Sequence, residues 1–402
     1  MVPGEERNGG WSDIQQELLE EILRKLTLVD YLKCRRVCRS WRHIVDEAVA
    51  TKGTICPPAP QFPFLMLLPP DHQINNPTTL LDITQEDTSY TIPPPRTWKG
   101  YVDGVFPVEG GWMVFQKVYN HTNQNYDKVL FSNTVSGQEF VLPHFPRVSQ
   151  KDFTEVYVEF VFSSAPNSSD FFVVACTTIF PYAWQNLAFC KVSDKSWTLF
   201  PNEYLPTFFI RFVILDWKLY AVASGGASVT VFNLRDSNNI TSETLVMLNP
   251  NAIPMETRVE VRDGVYYCIN EVDVGMARDG DELLLVFQVT EHVLGNTKCK
   301  LTKRFRIFKL DVCGPRWIEV DDLGDRVLLI DDFRIQVMSA KKIKLPGKLS
   351  GGNYVFFSIK NWNTDKPDLG VFSLKDKSFK PITIHPSLQD SLHGLWFMPS
   401  PW

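Results

Sequence analysis

Apolar residues at Leu18, Leu19, Ile22, Leu23 and Leu26 recur with the i, i+1, i+4, i+5, i+8 spacing of an amphipathic helix. Glu17, Glu20, Glu21, Arg24 and Lys25 take the opposite side. Thr27 or Asp30 can cap a following turn, because a short side-chain oxygen there accepts an otherwise unpaired backbone N–H. A second helical stripe runs through Cys34, Cys38, Trp41, Val45 and Ala48, with Val37 and Ile44 beside it. Between residues 31 and 45 the charged side chains are Lys33, Arg35, Arg36, Arg39 and Arg42, which makes a basic face.

The pattern changes after Cys56-Pro57-Pro58-Ala59-Pro60, a Pro-rich passage that reads as a stiff linker over residues 51–61. Beyond it, short β-branched and aromatic runs such as Phe171 to Thr178, Leu283 to Val289 and Tyr354 to Ile359 alternate with Gly, Asn, Asp and Pro clusters. One unit recurs: a strand bearing a large apolar residue, a polar turn, and a second such residue seven to nine positions on. The pairs are Phe131 with Phe140, Phe189 with Trp197, Phe232 with Ile240, Phe308 with Trp317, and Phe372 with Phe379. Their leading phenylalanines stand 58, 43, 76 and 64 residues apart, so insertions or unrecognised units are expected between them. Phe171-Phe172-Val173-Val174-Ala175-Cys176 is apolar on both faces, as suits a strand held between neighbouring sheets. A two-sheet sandwich would seldom need so long a region. The expected fold is therefore mainly β: a β-propeller of about six to eight blades over residues 62–402, preceded by a small all-α module over residues 11–50.

Composition narrows the functions. In 402 residues, 44% are hydrophobic and 22% charged, as in an ordinary folded protein, and the net charge of -5 supplies no field to attract nucleic acid. The eight cysteines at 34, 38, 56, 176, 190, 268, 299 and 313 form no CxxC pair and read as buried free thiols, not a metal site. No cofactor is expected. The chain opens without a signal-peptide pattern, and no apolar run reaches the roughly 18 residues of a membrane span. An intracellular protein of the nucleus or cytoplasm, without membrane contact, is the expectation.

Helices of about forty residues cannot bury themselves well, so Leu18, Ile22, Val37 and Trp41 call for packing on the rest of the chain or on another protein. The run Trp11 to Leu26, followed by Asp30 to Arg42, resembles an F-box, with Val37-Cys38-Arg39-Ser40-Trp41-Arg42 as its most specific part. The family usually opens with Leu-Pro where this chain has Ile14-Gln15. The resemblance implies docking to a Skp-type adaptor, and through it to a cullin and a RING protein, by Ile14, Leu18, Leu19, Ile22, Leu23, Leu26, Leu32, Val37, Cys38 and Trp41.

A second resemblance covers the remainder. Phe62 to Pro70, Gly110 to Phe115, Leu323 to Ile330, Asn353 to Phe357, Gly370 to Asp376 and Gly394 to Ser400, in that order, are similar to the KIB-type propeller of plant F-box proteins. Together the two imply a substrate receptor of a ubiquitin ligase, with an unidentified target protein on the propeller. A propeller enzyme acting on carbohydrates or metabolites, and an F-box scaffold without ubiquitin transfer, are the alternatives. No catalytic residue is expected: Asp321-Asp322 and Asp331-Asp332 read as solvated turn charges, and no HExxH, GxSxG or phosphate-binding Gly loop occurs. Stretches 118–128, 272–282 and 290–302 read as polar loops, and Arg147, Arg211, Arg258 and Arg262 are candidates for holding a phosphorylated or acidic segment.

Overall fold

The computed structural model describes residues 10–11, 14–51, 58–68, 77–85, 88–97, 102, 104–117, 128–134, 136–144, 155–166, 168–180, 184–200, 205, 208–223, 226–236, 240–247, 257–294, 296–332, 334–360, 367–384 and 393–399. Residues 118–127 of the expected loop 118–128, Arg147, Cys56 and most of the linker lie outside them.

Three helices come first: α1 (Gln16–Leu23), α2 (Leu28–Lys33) and α3 (Arg39–Ala50). The Thr27 hydroxyl caps α2 by accepting from the Asp30 N–H at 3.4 Å. The second stripe does not form one helix. A 3-10 turn at Cys34–Arg36 and a break at Val37-Cys38 redirect the chain, so that α3 folds back on α1. Leu19 and Leu23 then meet Trp41, Ile44, Val45 and Ala48 in one buried cluster with Tyr31 and Cys34.

All the described strands fall into six sheets. The first holds β1 (Phe64–Leu68), β2 (Thr78–Leu81) and β3 (Ser89–Ile92). The second runs β4 (Gly104–Val108), β5 (Trp112–Lys117), β6 (Lys128–Asn133) and β7 (Glu139–Val141). The third runs β8 (Glu155–Phe162), β9 (Phe172–Phe180), β10 (Trp184–Lys191) and β11 (Thr198–Leu199). The fourth runs β12 (Phe209–Leu215), β13 (Lys218–Ala223), β14 (Ser228–Asn233) and β15 (Thr241–Val246). The fifth has five strands, β16 (Thr257–Arg262), β17 (Val265–Asp279), β18 (Glu282–Val293), β19 (Asn296–Asp311) and β20 (Arg316–Glu319). The sixth contains β21 (Arg326–Asp331), β22 (Ile335–Ser339), β23 (Tyr354–Lys360), β24 (Pro367–Ser373) and β25 (Phe379–Pro381). Last comes β26 (His393–Phe397), which pairs antiparallel with β1 and so completes the first sheet from the far end of the chain.

Alternation along the strands explains why the sheets form a ring. Successive side chains of a strand point to opposite faces, and here both faces are apolar. Phe64, Met66 and Leu68 of β1 pack toward Val105, Met113 and Phe115 of the second sheet, whereas Leu65 and Leu67 pack toward Val327, Leu329 and Phe356 of the sixth. The same sharing recurs between sheets two and three, three and four, four and five, and five and six. Six inter-sheet cores thus close a circle, giving a six-bladed propeller.

All five expected hairpins are outer hairpins of blades two to six. Phe131 lies opposite Phe140 with their rings stacked at 4.7 Å, and Phe372 lies opposite Phe379. Blade one escapes the pattern because its outer pair is Leu80 with Tyr90. The 76-residue interval reflects β17, β18 and β19, which are 15, 12 and 16 residues long. Consequently the expected loops 272–282 and 290–302 are corrected: among their described residues, all but the turns at 280–281 and 294 are strand.

Candidate functional site

On α1 the side chains four apart share a face. Leu19 and Leu23 are buried at 1% and 0% exposure, while Leu18 remains 51% exposed and Ile22 is half-buried beside it. The helix therefore spends one face on its own core and offers the other. Val37, at the break before α3, is 52% exposed. Ile14, Leu26, Leu32 and Cys38 are half-buried at the margin of the core. Leu18 and Val37 are thus the open members of the expected docking set, and Leu19, Leu23 and Trp41 hold the helices together.

Trp41 needs no outside surface to cover it. Its indole Nε1 donates to the Trp11 carbonyl at 3.0 Å, and the two rings meet edge to face at 6.2 Å. Burial, helped by Asp30, pushes the Cys34 thiol up, which suits a packed and unreactive group. On the basic face Arg35 pairs with Asp46 at 2.7 Å, and Arg36 and Arg39 are exposed. Lys33 is raised chiefly by its hydrogen bond with Asp30.

The helices do not hang free of the ring. Val29 packs onto the core shared by blades one and two, and the Lys33 ammonium sits 5.7 Å from the Tyr90 ring centroid on β3. The Ala59 N–H donates to the Leu26 carbonyl at 2.9 Å, and the Leu28 N–H donates to the Gln61 side chain at 3.2 Å. Sequence reasoning missed Val29, Gln61 and Tyr90. Their partners lie tens of residues away, and no local period marks them.

Family models match two stretches of the chain. An F-box domain spans residues 11–49, and the KIB1-4 beta-propeller spans residues 80–373. This chain belongs to the KIB1-4 β-propeller family. Among relatives of this F-box and KIB1-4 chain, F-box protein At2g14290 of Arabidopsis thaliana is 23% identical over 97% of this chain and 97% of its own length. F-box protein At2g17036 of Arabidopsis thaliana is 24% identical over 56% of this chain and 52% of its own length. The KIB1-4 ring also aligns with the nidogen/laminin complex structure at 10% identity and a TM-score of 0.35, covering 83% of this chain and 96% of that one, a likeness too slight to bear on function.

Within the KIB1-4 ring the two acidic pairs separate. Asp321 is exposed and pairs with Lys377 at 3.0 Å, and Asp322 is held below the usual carboxylate range by the Gly324 N–H and the Asn353 amide. Asp331 corrects the expectation of a solvated charge, being only 1% exposed. It accepts from the Trp396 N–H at 3.1 Å and the Arg334 N–H at 3.0 Å. The closing strand β26 lands beside it, a contact spanning 65 residues that the local pattern does not contain. Arg334 donates to the Trp396 carbonyl at 2.9 Å, and burial brings its guanidinium down to about 10 against the pull of Asp331 and Glu109. These acids and bases clamp the ring.

Arg258 and Arg262 are engaged with Glu260 and Glu291 on the long fifth blade, and Arg211 donates to the Ile210 carbonyl on β12. The structure does not gather them into one acidic-segment site. Among the described residues no group of three or more His, Cys, Asp or Glu side chains could hold a metal ion, and no helix is long and apolar enough to cross a membrane.

Proposed function

We propose that this chain is the substrate-recognition subunit of a Skp-cullin-F-box ubiquitin ligase. Residues 11–50 dock on a Skp-type adaptor, residues 51–61 link, and residues 62–402 hold the target protein. The observation that carries the reading is the exposed Leu18 and Val37 on a matched F-box whose own core is already complete. Burying the exposed half of such side chains on an adaptor would gain roughly 1 kcal/mol each. Catalysis then lies with the recruited conjugating enzyme, and the chain contributes proximity. It acts inside the cell, in the nucleus or cytoplasm.

Reconstitution with adaptor, cullin, RING protein and conjugating enzyme tests the proposal. Proteins captured by the wild-type chain should acquire ubiquitin, and a Leu18→Asp, Val37→Asp double variant should capture the same proteins without transfer. Capture with no transfer by the wild type would leave the scaffold reading in its place.

A further inference from the structure

The outer halves of β17, β18 and β19, together with β16, form an arm that contributes to none of the six inter-blade cores. A register shift between Asp273 and Gly275 marks where β17 leaves the blade. The arm is amphipathic. One face carries ion pairs of Glu260 with Arg258 and of Glu291 with Arg262 and Lys303. On the other face Val259, Val261, Tyr266 and Leu294 lie side by side, 52%, 60%, 54% and 54% exposed. β16 is an edge strand, and among the described residues no strand pairs with its outer side.

The hairpin geometry fixes which backbone groups are open. β16 and β17 are joined by the two-residue turn Asp263-Gly264, both at positive φ, so Arg262 and Val265 form the hydrogen-bonded pair that closes the hairpin. Hydrogen bonding alternates along an antiparallel ladder. Arg258, Glu260 and Arg262 therefore direct their N–H and C=O groups into the hairpin, and Thr257, Val259 and Val261 direct theirs outward.

We propose that β16 pairs antiparallel with β16 of a second copy of this chain, about a twofold axis at Val259. In that register Arg258 faces Glu260 of the other copy twice over, and Thr257 faces Val261. Every outward N–H and C=O of the strand is used, in about six inter-chain hydrogen bonds. A register centred on Glu260 instead sets Glu260 against itself and Arg258 against Arg262, and it loses a bonded pair. The strand's charge order is thus complementary to its own reverse. The pairing is independent of the helical module and would place two receptors in one assembly.

Sedimentation of the full chain tests it. The wild type should pass from a 46.1 kDa monomer to a species of twice that mass as concentration rises through the micromolar range. Glu260→Arg and Arg258→Glu each create like-charge contacts by symmetry, and each should weaken association about tenfold or more. An equimolar mixture of these two variants restores every Arg to Glu contact and should recover the dimer. Val259→Pro removes an outward N–H while leaving the hairpin's own bonds, and should also give a monomer. A wild type that stays monomeric throughout, or a dimer indifferent to these three substitutions, would overturn the proposal.

Discussion

The Lys33 ammonium of α2 stands over the Tyr90 ring of β3, 5.7 Å from its centroid. This contact joins the helical module to the first blade, and Tyr90 is itself braced edge to face on Phe64 at 5.5 Å. Tyr90→Ala should remove both interactions and cost about 1–2 kcal/mol. Hydrogen exchange should show α2 amides losing protection while blade four is unchanged. Tyr90→Phe keeps the ring and should cost less than about 0.5 kcal/mol.

The two faces of α1 make separable predictions. Leu23 is fully buried, and Leu23→Ala should destabilise the helical module by about 2–5 kcal/mol, read by denaturant unfolding. Leu18 is exposed, and Leu18→Ala should change stability by less than about 0.5 kcal/mol.

Asp331 is a buried acceptor for two backbone donors, Arg334 N–H and Trp396 N–H. Asp331→Ala leaves these donors without that acceptor, at about 1–3 kcal/mol each. The melting temperature should fall well below that of an Asp321→Ala control, because Asp321 is exposed and its pair with Lys377 is worth little.

Glu139 gives a pH prediction. Burial alone would raise its carboxyl, but hydrogen bonds from the Thr97 hydroxyl, the Arg96 and Thr97 N–H groups and Ser132 outweigh it and hold the carboxyl below its ordinary value. The folded state therefore prefers the ionised form. That stabilisation is present above the unfolded pKa and is lost as pH falls through the folded one. Glu139→Gln should melt below the wild type at pH 7, and the two melting temperatures should converge as the pH falls below the ordinary carboxylate range.

What could be read from the sequence follows the range of the contacts. The α1 stripe, the Thr27 cap and the five outer hairpins rest on residues within ten positions of each other, and the structure places them together. The break at Val37-Cys38 did not show, because Cys34, Cys38, Trp41 and Val45 keep a helical spacing across it. Blade one was hidden because Leu80 stands where other blades carry Phe, and because its sheet is completed by β26 from the other end of the chain. Asp331 looked like a turn charge for the same reason. The expected docking set comes from the family pattern, and the periodicity alone could not separate exposed Leu18 and Val37 from buried Leu19, Leu23 and Trp41.

The most direct test is calorimetric titration of the full chain with a purified Skp-type adaptor. Saturable one-to-one binding by the wild type is expected. The Leu18→Asp, Val37→Asp double variant should bind at least about a hundredfold more weakly, a loss of about 2.7 kcal/mol, with its melting temperature preserved. A wild type that does not bind, or a folded double variant that binds equally well, would contradict the account.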